Sequence, residues 1–376
     1  MKQTAPTLKM IAAHAGVHVS TASRALDPAR RHLIADEVVR HISETASKLG
    51  YRRNVGAAAL RTGRSRLIGV LLPDLANPVF GPILRGVEEA LADEGYAAIV
   101  ANAGGTRGKA LAAAEHLLAR RVEALVSASA ELLDPVVSLC LEAKTPLVLV
   151  NRAETRLRTG SVISDDKTGI GLAVDYLASL GHRKIGHIAG PQNVSTGLWR
   201  RDGFVEAMSR LGLAEGPVVV ASAYSRQSGA EAARALFVQS CSVTGIAVAN
   251  DLLALGAYAV LAEFGLRCPE DISIIGYNDM PLMDLVEPPL STVQINPEEL
   301  GRRAGHQVIA AIRAGGQAPH IDILKPTLVI RRSAAPAPGC DRLPAYQNGQ
   351  NVCSDLVFNV PARQTALHDT RTEPPA

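Results

Sequence analysis

The chain has 376 residues, of which 47% are hydrophobic and 20% charged, and this composition excludes a fibrous or wholly disordered protein. Residues 1–66 contain 12 Lys and Arg against 4 Asp and Glu, a net charge of +8, whereas the remainder carries −5. A basic N-terminal segment on a mildly acidic body is typical of nucleic-acid binding, although a solvated basic surface gives the same charge balance.

The spacing of the cysteines argues against a metal site, and the lack of long apolar runs argues against a membrane protein. No apolar run approaches the ~20 residues that span a bilayer, and the polar N-terminus does not look like a signal peptide. We therefore expect a cytoplasmic protein with no cofactor, no metal and no membrane partner. The scattered cysteines form no CxxC pair and are predicted to be reduced thiols: Cys140, Cys241, Cys268, Cys340 and Cys353.

Two short helices with a tight turn between them are predicted near the N-terminus. Thr7 suits an N-cap, and apolar residues recur at helical spacing over Leu8–Ala15. Gly16 ends this helix, and a second follows from about Val19 to Leu26. The arrangement predicts a helix-turn-helix whose second helix enters the major groove of DNA. An ordinary αα-hairpin in a helical bundle is the alternative.

A third helix and a linker complete the N-terminal region. The third helix is predicted from about Asp36 to Leu49, which makes residues 1–53 a DNA-binding headpiece. The Asn54–Leu60 segment is too short and too rich in alanine to be helical alone, so we expect a hinge that becomes helical on DNA. Thr62–Arg66 reads as a linker, so that hinge and linker together span residues 54–66.

Apolar strands alternate with helices over residues 67–333. The pattern predicts an α/β core of two doubly wound parallel sheets, with a ligand cleft at the carboxyl ends of their strands. Residues 334–376 show no periodicity and are predicted to form a disordered tail. The expected helices include Ile83–Glu94 and Gly108–Arg121. The expected strands are Leu67–Leu72, Ala97–Ala101, Ala124–Ser127, Leu147–Val150, Lys184–Ala189, Pro217–Ala221, Gly245–Ala249 and Ile272–Gly276.

Several motifs in order resemble the LacI/GalR, or lactose-repressor, family. AGVHVSTASRALD at residues 15–27 is similar to its headpiece, and Leu49-Gly50-Tyr51, Asn54 and Leu60-Arg61 follow. The resemblance continues to about residue 333. It implies a two-lobed core like that of periplasmic binding proteins, in which the chain crosses between lobes near Ser164, Gln294 and Lys325. The further matching segments are Leu75–Glu88, Leu180–Pro191, Ala249–Ala257 and Ile274–Leu282.

The resemblance implies a homodimeric transcriptional repressor that binds double-stranded operator DNA and a small effector, here expected to be a sugar or a sugar acid. Val19, Ser20 and Arg24 fall at positions that read base edges, although Val19 could instead be core. Leu60 matches a leucine wedged into the minor groove. The remaining DNA contacts that it implies are Thr7, Thr21, Ser23, Asn54 and Ala57.

The resemblance also assigns residues to the effector pocket. Arg200 precedes Gly203-Phe204 with an RxxGF spacing, and its planar fork suits a carboxylate, a phosphate or paired hydroxyls. For Asn250 and Asp251, strand-end turn chemistry or a helix cap is the alternative. The complete expected set is Asn77, Phe80, Asn151, Thr196, Arg200, Asn250, Asp251 and Asn278.

Two departures from the family pattern concern helix caps. His18 stands where a capping serine is usual, which puts that cap in doubt, and Ala35 stands at the next cap, which leaves Asp36 to do that job.

Other classes of protein fit less well. A periplasmic-type binding protein would share the two-lobed body but not the basic headpiece. An enzyme is disfavoured because Gly104–Lys109 fails the P-loop spacing and no catalytic triad or carboxylate pair stands out.

Overall fold

A computed structural model describes residues 6–27, 30–51, 64–104, 107–240, 242–317 and 319–338. Contacts divide the chain into a small unit, Met1–Leu67 with Arg121–Glu123, and a larger unit that holds the remainder. The expected hinge contacts Asn54, Ala57 and Leu60 lie outside the described residues.

The small unit is helical. Helix α1 spans Leu8–His14, α2 spans Val19–Ala25, and α3 spans Asp36–Lys48 after a short 3-10 turn at Arg31–Leu33. The predicted helix-turn-helix is confirmed, with Gly16 at a φ of +65° in the turn. Small and apolar side chains from the three helices form its core, namely Ile11, Ala12, Ala15, Ala22, Ala25, Ile42 and Ala46.

Local capping at the three helices departs in part from expectation. The hydroxyl of Thr7 accepts from the backbone N–H of Met10, as predicted. The prediction that Asp36 caps α3 is wrong, because Asp36 is the first helical residue and Ala35 occupies the cap without a side-chain hydrogen bond. Asp36 instead places a negative charge in the first turn, where it interacts favourably with the helix dipole.

The first lobe of the larger unit is built on a six-stranded sheet within the described residues, with the strand order β11-β5-β4-β3-β1-β2. Helix α11 packs on α4, and the two approach closely because Gly301 has no Cβ. A Cβ at that position would lie 1.9 Å from the carbonyl oxygen of Ile83. The elements are β1 Leu67–Leu72, α4 Phe80–Asp93, β2 Ala97–Asn102, α5 Arg107–Ala119, β3 Ala124–Ser127, α6 Pro135–Glu142, β4 Leu147–Val150, β5 Gly160–Ser164, α11 Pro297–Ala314 and β11 Ile321–Leu324.

The second lobe is built on another six-stranded sheet of described residues, in the order β12-β10-β9-β8-β6-β7. It is parallel except for β12, which runs antiparallel to β10, so the expected all-parallel sheet is corrected at one edge. The elements are α7 Asp166–Ser179, β6 Ile185–Ala189, α8 Ser195–Arg210, β7 Val218–Val220, α9 Arg226–Gln239, β8 Gly245–Val248, α10 Asp251–Glu263, β9 Ser273–Asn278, β10 Ser291–Gln294 and β12 Thr327–Val329.

The chain passes between the lobes at the three expected places. Strand β5 ends at Ser164 in the first lobe, and α7 packs in the second. Strand β10 ends at Gln294 in the second lobe, and α11 packs in the first. Lys325 lies between β11 and β12, which belong to different sheets. Each lobe is therefore assembled from separate stretches of sequence.

The C-terminal end of the core lies beyond the expected limit at residue 333. The carbonyl of Ala335 accepts from the imidazole of His182 at 3.0 Å, and the N–H of Ala337 donates to the carbonyl of Leu180 at 2.9 Å. These bonds attach the chain to the second lobe, so the expectation of disorder from residue 334 is wrong at Ala335 and Ala337. The rest of the expected tail, from residue 339, lies outside the described residues.

Candidate functional site

Helix α2 presents a polar surface that its neighbours do not cover. Ala22 and Ala25 are buried against the helical core, whereas Ser20 and Arg24 are exposed. Val19 is 37% exposed and is therefore not a core residue. Thr7 is also exposed, and Thr21 and Ser23 are half-buried. The outward side of α2 thus carries hydroxyl and guanidinium groups suited to base edges and phosphates.

His18 supplies the cap that the sequence left in doubt. Its Nδ1 accepts from the backbone N–H of Ser20 at 3.3 Å and lies 2.7 Å from the Ser20 hydroxyl oxygen. Accepting from the N–H requires a lone pair on Nδ1, so the Ser20 hydroxyl also donates toward it. The Ser20 oxygen is then left with free lone pairs and acts toward DNA as an acceptor.

We expect His18→Ala to lower the stability of the helical unit, because the N-terminal turn of α2 loses its side-chain cap. The expected cost in free energy of unfolding is about 0.5–2 kcal/mol, measurable by thermal unfolding followed by circular dichroism. His18→Ser, which provides a short capping oxygen, should recover most of the loss. Equal stability of the alanine and serine variants would contradict a capping role.

A cavity of about 420 Å³ lies between the two lobes of the larger unit. First-lobe residues reach it from loops after β1, β2, β3 and β4 and from the start of α5, and second-lobe residues from loops after β6 and β7. All these loops follow carboxyl ends of parallel strands, as predicted for the cleft. The polar or aromatic lining side chains are Asp74, Asn77, Phe80, Asn102, Arg107, Ser129, Glu131, Asp134, Arg152, Asn193, Ser222, Tyr224 and Ser225.

Hydrogen bonds at the rim of the cavity join the lobes. The carboxylate of Glu131 accepts from Arg107 at 3.0 Å within the first lobe and from the side-chain amide of Asn193, in the second lobe, at 3.2 Å. The backbone N–H of Ala153 donates to the Ser195 hydroxyl at 3.0 Å. A change in lobe angle must therefore break or remake a small set of identifiable bonds.

Asp134 is engaged at the same rim without bridging the lobes. Its carboxylate accepts from the N–H of Val136 at 2.7 Å, capping α6, and from that of Glu131 at 2.9 Å. Burial raises the pKa of Asp134, against the lowering effect of these backbone donors. Each oxygen of the carboxylate accepts one backbone hydrogen bond, and these bonds shape the loop after β3.

Two of the expected effector residues, Asn77 and Phe80, line the cavity, and the others do not. Thr196 lies behind Tyr224 and accepts from its hydroxyl at 3.1 Å, so it orients a lining residue. Asn151 is buried at a φ of +65° beside the cavity. Asn278 is buried, and within the described residues its Oδ1 has no hydrogen-bond partner.

Arg200 is enclosed in the second lobe. Its Nε donates to Asp166 at 2.8 Å, its Nη1 donates to the carbonyl of Ala249 at 2.6 Å, and its guanidinium lies 3.7 Å from the centre of the Tyr277 ring. Burial opposes the charge, but Asp166 and Tyr277 outweigh it and hold the Arg200 pKa above its ordinary value. The expected effector arginine is thus already paired.

Asn250 and Asp251 have the structural roles, a helix cap and a strand-end turn contact, that were the alternative to effector binding. The Asn250 side chain accepts from the N–H of Leu252 at 2.8 Å and caps α10. The Asp251 carboxylate accepts from the N–H of Met280 at 2.8 Å and from the hydroxyl of Thr292 at 2.6 Å. The Asp251 bonds fix the loop after β9, and neither side chain lines the cavity.

Sequence reasoning missed most of the lining, including Arg152, Glu131, Asn193 and Tyr224. Arg152 comes two residues after β4, and Asn193 lies between β6 and α8, where the strand-end rule directs attention. Applying that rule to each predicted strand would have found both. The same rule indicates Tyr224, which comes three residues after the predicted strand Pro217–Ala221.

The described residues contain no group of three or more His, Cys, Asp or Glu side chains placed to hold a metal ion. In the same part of the chain, no helix combines the length and apolarity needed to cross a membrane. Cys140 and Cys268 are free thiols, and the other cysteines lie outside the described residues.

Comparisons with known proteins agree with this architecture. A family model described as periplasmic binding protein-like domain matches residues 174–334. The HTH-type transcriptional regulator MalR of Streptomyces coelicolor is 33% identical over 342 residues, covering 88% of this chain and 96% of MalR.

Solved structures are similar over the same extent. The regulator CelR in complex with cellobiose has 27% identity and a TM-score of 0.68, covering 88% of this chain and all of CelR. The Lac repressor dimer bound to operator and the anti-inducer ONPF has 25% identity and a TM-score of 0.77, with the same coverage. This chain therefore belongs to the LacI/GalR family of transcriptional regulators, which are not enzymes.

Proposed function

We propose that this protein is a homodimeric, cytoplasmic repressor whose affinity for operator DNA is set by a sugar or sugar-acid effector bound between its lobes. The observation that carries the proposal is the cavity, which is lined by polar side chains from both lobes. A ligand that contacts both lobes favours the lobe angle at which those contacts are best and so shifts the conformational equilibrium.

On the DNA side, we assign base contacts to Val19, Ser20 and Arg24 of α2. Thr7, Thr21 and Ser23 hold phosphates, Leu60 enters the minor groove, and Asn54 and Ala57 are further DNA contacts of the hinge. Two helical units in a dimer then read two half-sites of a near-palindromic operator. In this proposal the headpiece, residues 1–53, and the hinge and linker, residues 54–66, bind DNA. The core, which begins at residue 67 and extends past residue 333, binds the effector.

The similar proteins support the dimer, the operator DNA and the small-molecule effector of the proposal. CelR is described with cellobiose, and the Lac repressor as a dimer on operator DNA with a small molecule. A periplasmic-type binding protein would have the two-lobed body without the helical unit. Coupling between the sites is reciprocal: an effector that weakens operator binding is itself bound more weakly when operator is present.

The test is a nuclease footprint of the full-length protein on the DNA upstream of its own gene, with and without candidate effectors. We expect protection of a near-palindromic site, and a sugar or sugar acid that changes it. Thermal shift identifies the effector, since a ligand at 100 times its Kd stabilises the folded protein by about 2.7 kcal/mol. Binding with no sequence preference on any DNA would contradict the proposal.

We expect Arg24→Ala to weaken the free energy of specific operator binding by about 1–3 kcal/mol, because alanine cannot make the bidentate contact of the guanidinium with a base edge. Non-specific DNA binding should be largely retained. Fluorescence anisotropy with operator and scrambled duplexes measures both. Arg40→Ala, which removes an exposed charge from α3 instead, is the matched control. Equal weakening on the two duplexes would make Arg24 a phosphate contact.

A further inference from the structure

Arg152 lines the cavity and has no hydrogen-bonded counter-ion among the residues that the structure describes. It follows β4, its side chain is half-buried, and its Nε is shielded from solvent with no hydrogen-bond partner in the described residues. Nearby arginines are satisfied: Arg158 donates twice to Glu154, and Arg107 pairs with Glu131. Shielding the Nε donor without an acceptor costs free energy, and a bound group that accepts from it would remove that cost.

The neighbouring carboxylates do not fill that place. Glu131 and Asp134 act on Arg152 through space, but Glu131 is bonded to Arg107 and Asn193, and Asp134 to backbone N–H groups. Burial lowers the pKa of Arg152, Tyr224 and these carboxylates act in the opposite direction, and Arg200 adds to the lowering. Arg152 therefore lines the cavity, and no group of the described residues accepts a hydrogen bond from its guanidinium.

We infer that the effector carries an oxyanion, a carboxylate or a phosphate, which Arg152 binds. This inference rests on the proposed function, because it takes the cavity as the effector site. A planar guanidinium binds such groups with two parallel hydrogen bonds. The other lining groups, among them Asn77, Asn102 and Ser222, suit sugar hydroxyls. The effector class is therefore an acidic sugar derivative rather than a neutral sugar.

The experiment is calorimetric titration of the full-length protein with matched ligands: glucose, gluconate and glucose 6-phosphate, and ribose, ribonate and ribose 5-phosphate. We expect one anionic member to bind and its neutral parent to bind at least about tenfold more weakly, as for a hydrogen bond to a charged group. Preference within the binding series distinguishes a carboxylate from a phosphate effector.

Variants connect that preference to Arg152. Arg152→Gln should weaken the anionic ligand roughly tenfold to a hundredfold and leave its neutral parent nearly unchanged. Arg152→Lys, which keeps the charge without the fork, should be intermediate. Arg156→Gln removes an exposed arginine four positions along and should behave as the wild type. A neutral sugar that binds as well as its acid, in the wild type and in Arg152→Gln, would overturn the inference while leaving the proposed function standing.

If none of these ligands binds, the melting temperature of the ligand-free protein provides a second test. If Arg152 serves to bind an anion, Arg152→Met should raise the melting temperature of the ligand-free protein, because it removes a half-buried charge whose Nε has no acceptor. Inorganic phosphate, compared with chloride at equal ionic strength, should stabilise the wild type more than Arg152→Met. A melting temperature that falls, with equal responses to phosphate, would make Arg152 a structural residue and overturn the inference.

Discussion

Replacing Arg200 by alanine is expected to lower the free energy of unfolding of the two-lobed body by about 3–5 kcal/mol, as for other broken buried ion pairs. The side chains of Arg200 and Asp166 are only 2% and 1% exposed. The substitution leaves the Asp166 carboxylate without its cation and removes the donor to the Ala249 carbonyl. It also opens space beside the Tyr277 ring.

Urea unfolding of the full-length protein measures this effect. Arg201→Ala, which removes the neighbouring half-exposed pair with Asp202, should cost less than about 1 kcal/mol. The double variant Asp166→Ala with Arg200→Met should be less destabilised than the sum of the single changes, because no charge is left unpaired. An Arg200→Ala protein that is as stable as Arg201→Ala yet has lost effector binding would instead make Arg200 an effector contact.

Arg200 illustrates what the sequence could and could not predict about the cavity. The spacing from Arg200 to Gly203 and Phe204 places all three on the buried side of one helix, and they are buried on α8. The spacing does not say whether the guanidinium meets solvent, ligand or protein. That outcome depends on Asp166, which is 34 residues away in the sequence and lies on α7.

The fold was predictable where local signals are strong. Continuous apolar runs identified the buried strands β1, β3 and β4 at their correct bounds. Strands β5, β10, β11 and β12 were not among the predicted strands. Strand β12 has three residues, and β11 owes its place to pairing with β5, more than 150 positions earlier in the chain. Such pairings are tertiary contacts that a local pattern does not carry.

In the headpiece, residue types alone did not predict the N-cap of α2 or the hydrogen-bonding role of Ser20. A histidine is not a usual N-cap, yet the His18 ring nitrogen reaches the N–H of Ser20 as a short oxygen would. The same contact limits Ser20, a predicted base reader, to accepting hydrogen bonds from DNA. The local helical pattern therefore gave the position of α2 but not the hydrogen-bonding character of its surface.

The stability of the protein is expected to depend on pH through Asp251. Burial raises the pKa of Asp251 to about 7, although Met280 and Thr292 donate hydrogen bonds to its carboxylate. In the unfolded chain an aspartate titrates near its ordinary value of about 4. Between these values the folded state holds a proton that the unfolded state has released, so this contribution to stability falls as pH rises through the window and levels off above about 7.

Asp251→Asn isolates that contribution, because asparagine stays neutral and has the same shape. Its oxygen accepts from the Met280 N–H, and its amide donates to the Thr292 hydroxyl, which rotates to accept. Relative to the wild type, the variant should gain up to a few kcal/mol in free energy of unfolding between pH 5 and pH 8, since each pKa unit corresponds to about 1.4 kcal/mol. Urea unfolding at four pH values in that range measures the difference, and Asp284→Asn, which makes the same change at an exposed carboxylate, is the control. If the free energies of unfolding of Asp251→Asn and the wild type changed in parallel with pH, Asp251 would be ionised throughout the range. Its carboxylate would then be stabilised by the hydrogen bonds from Met280 and Thr292.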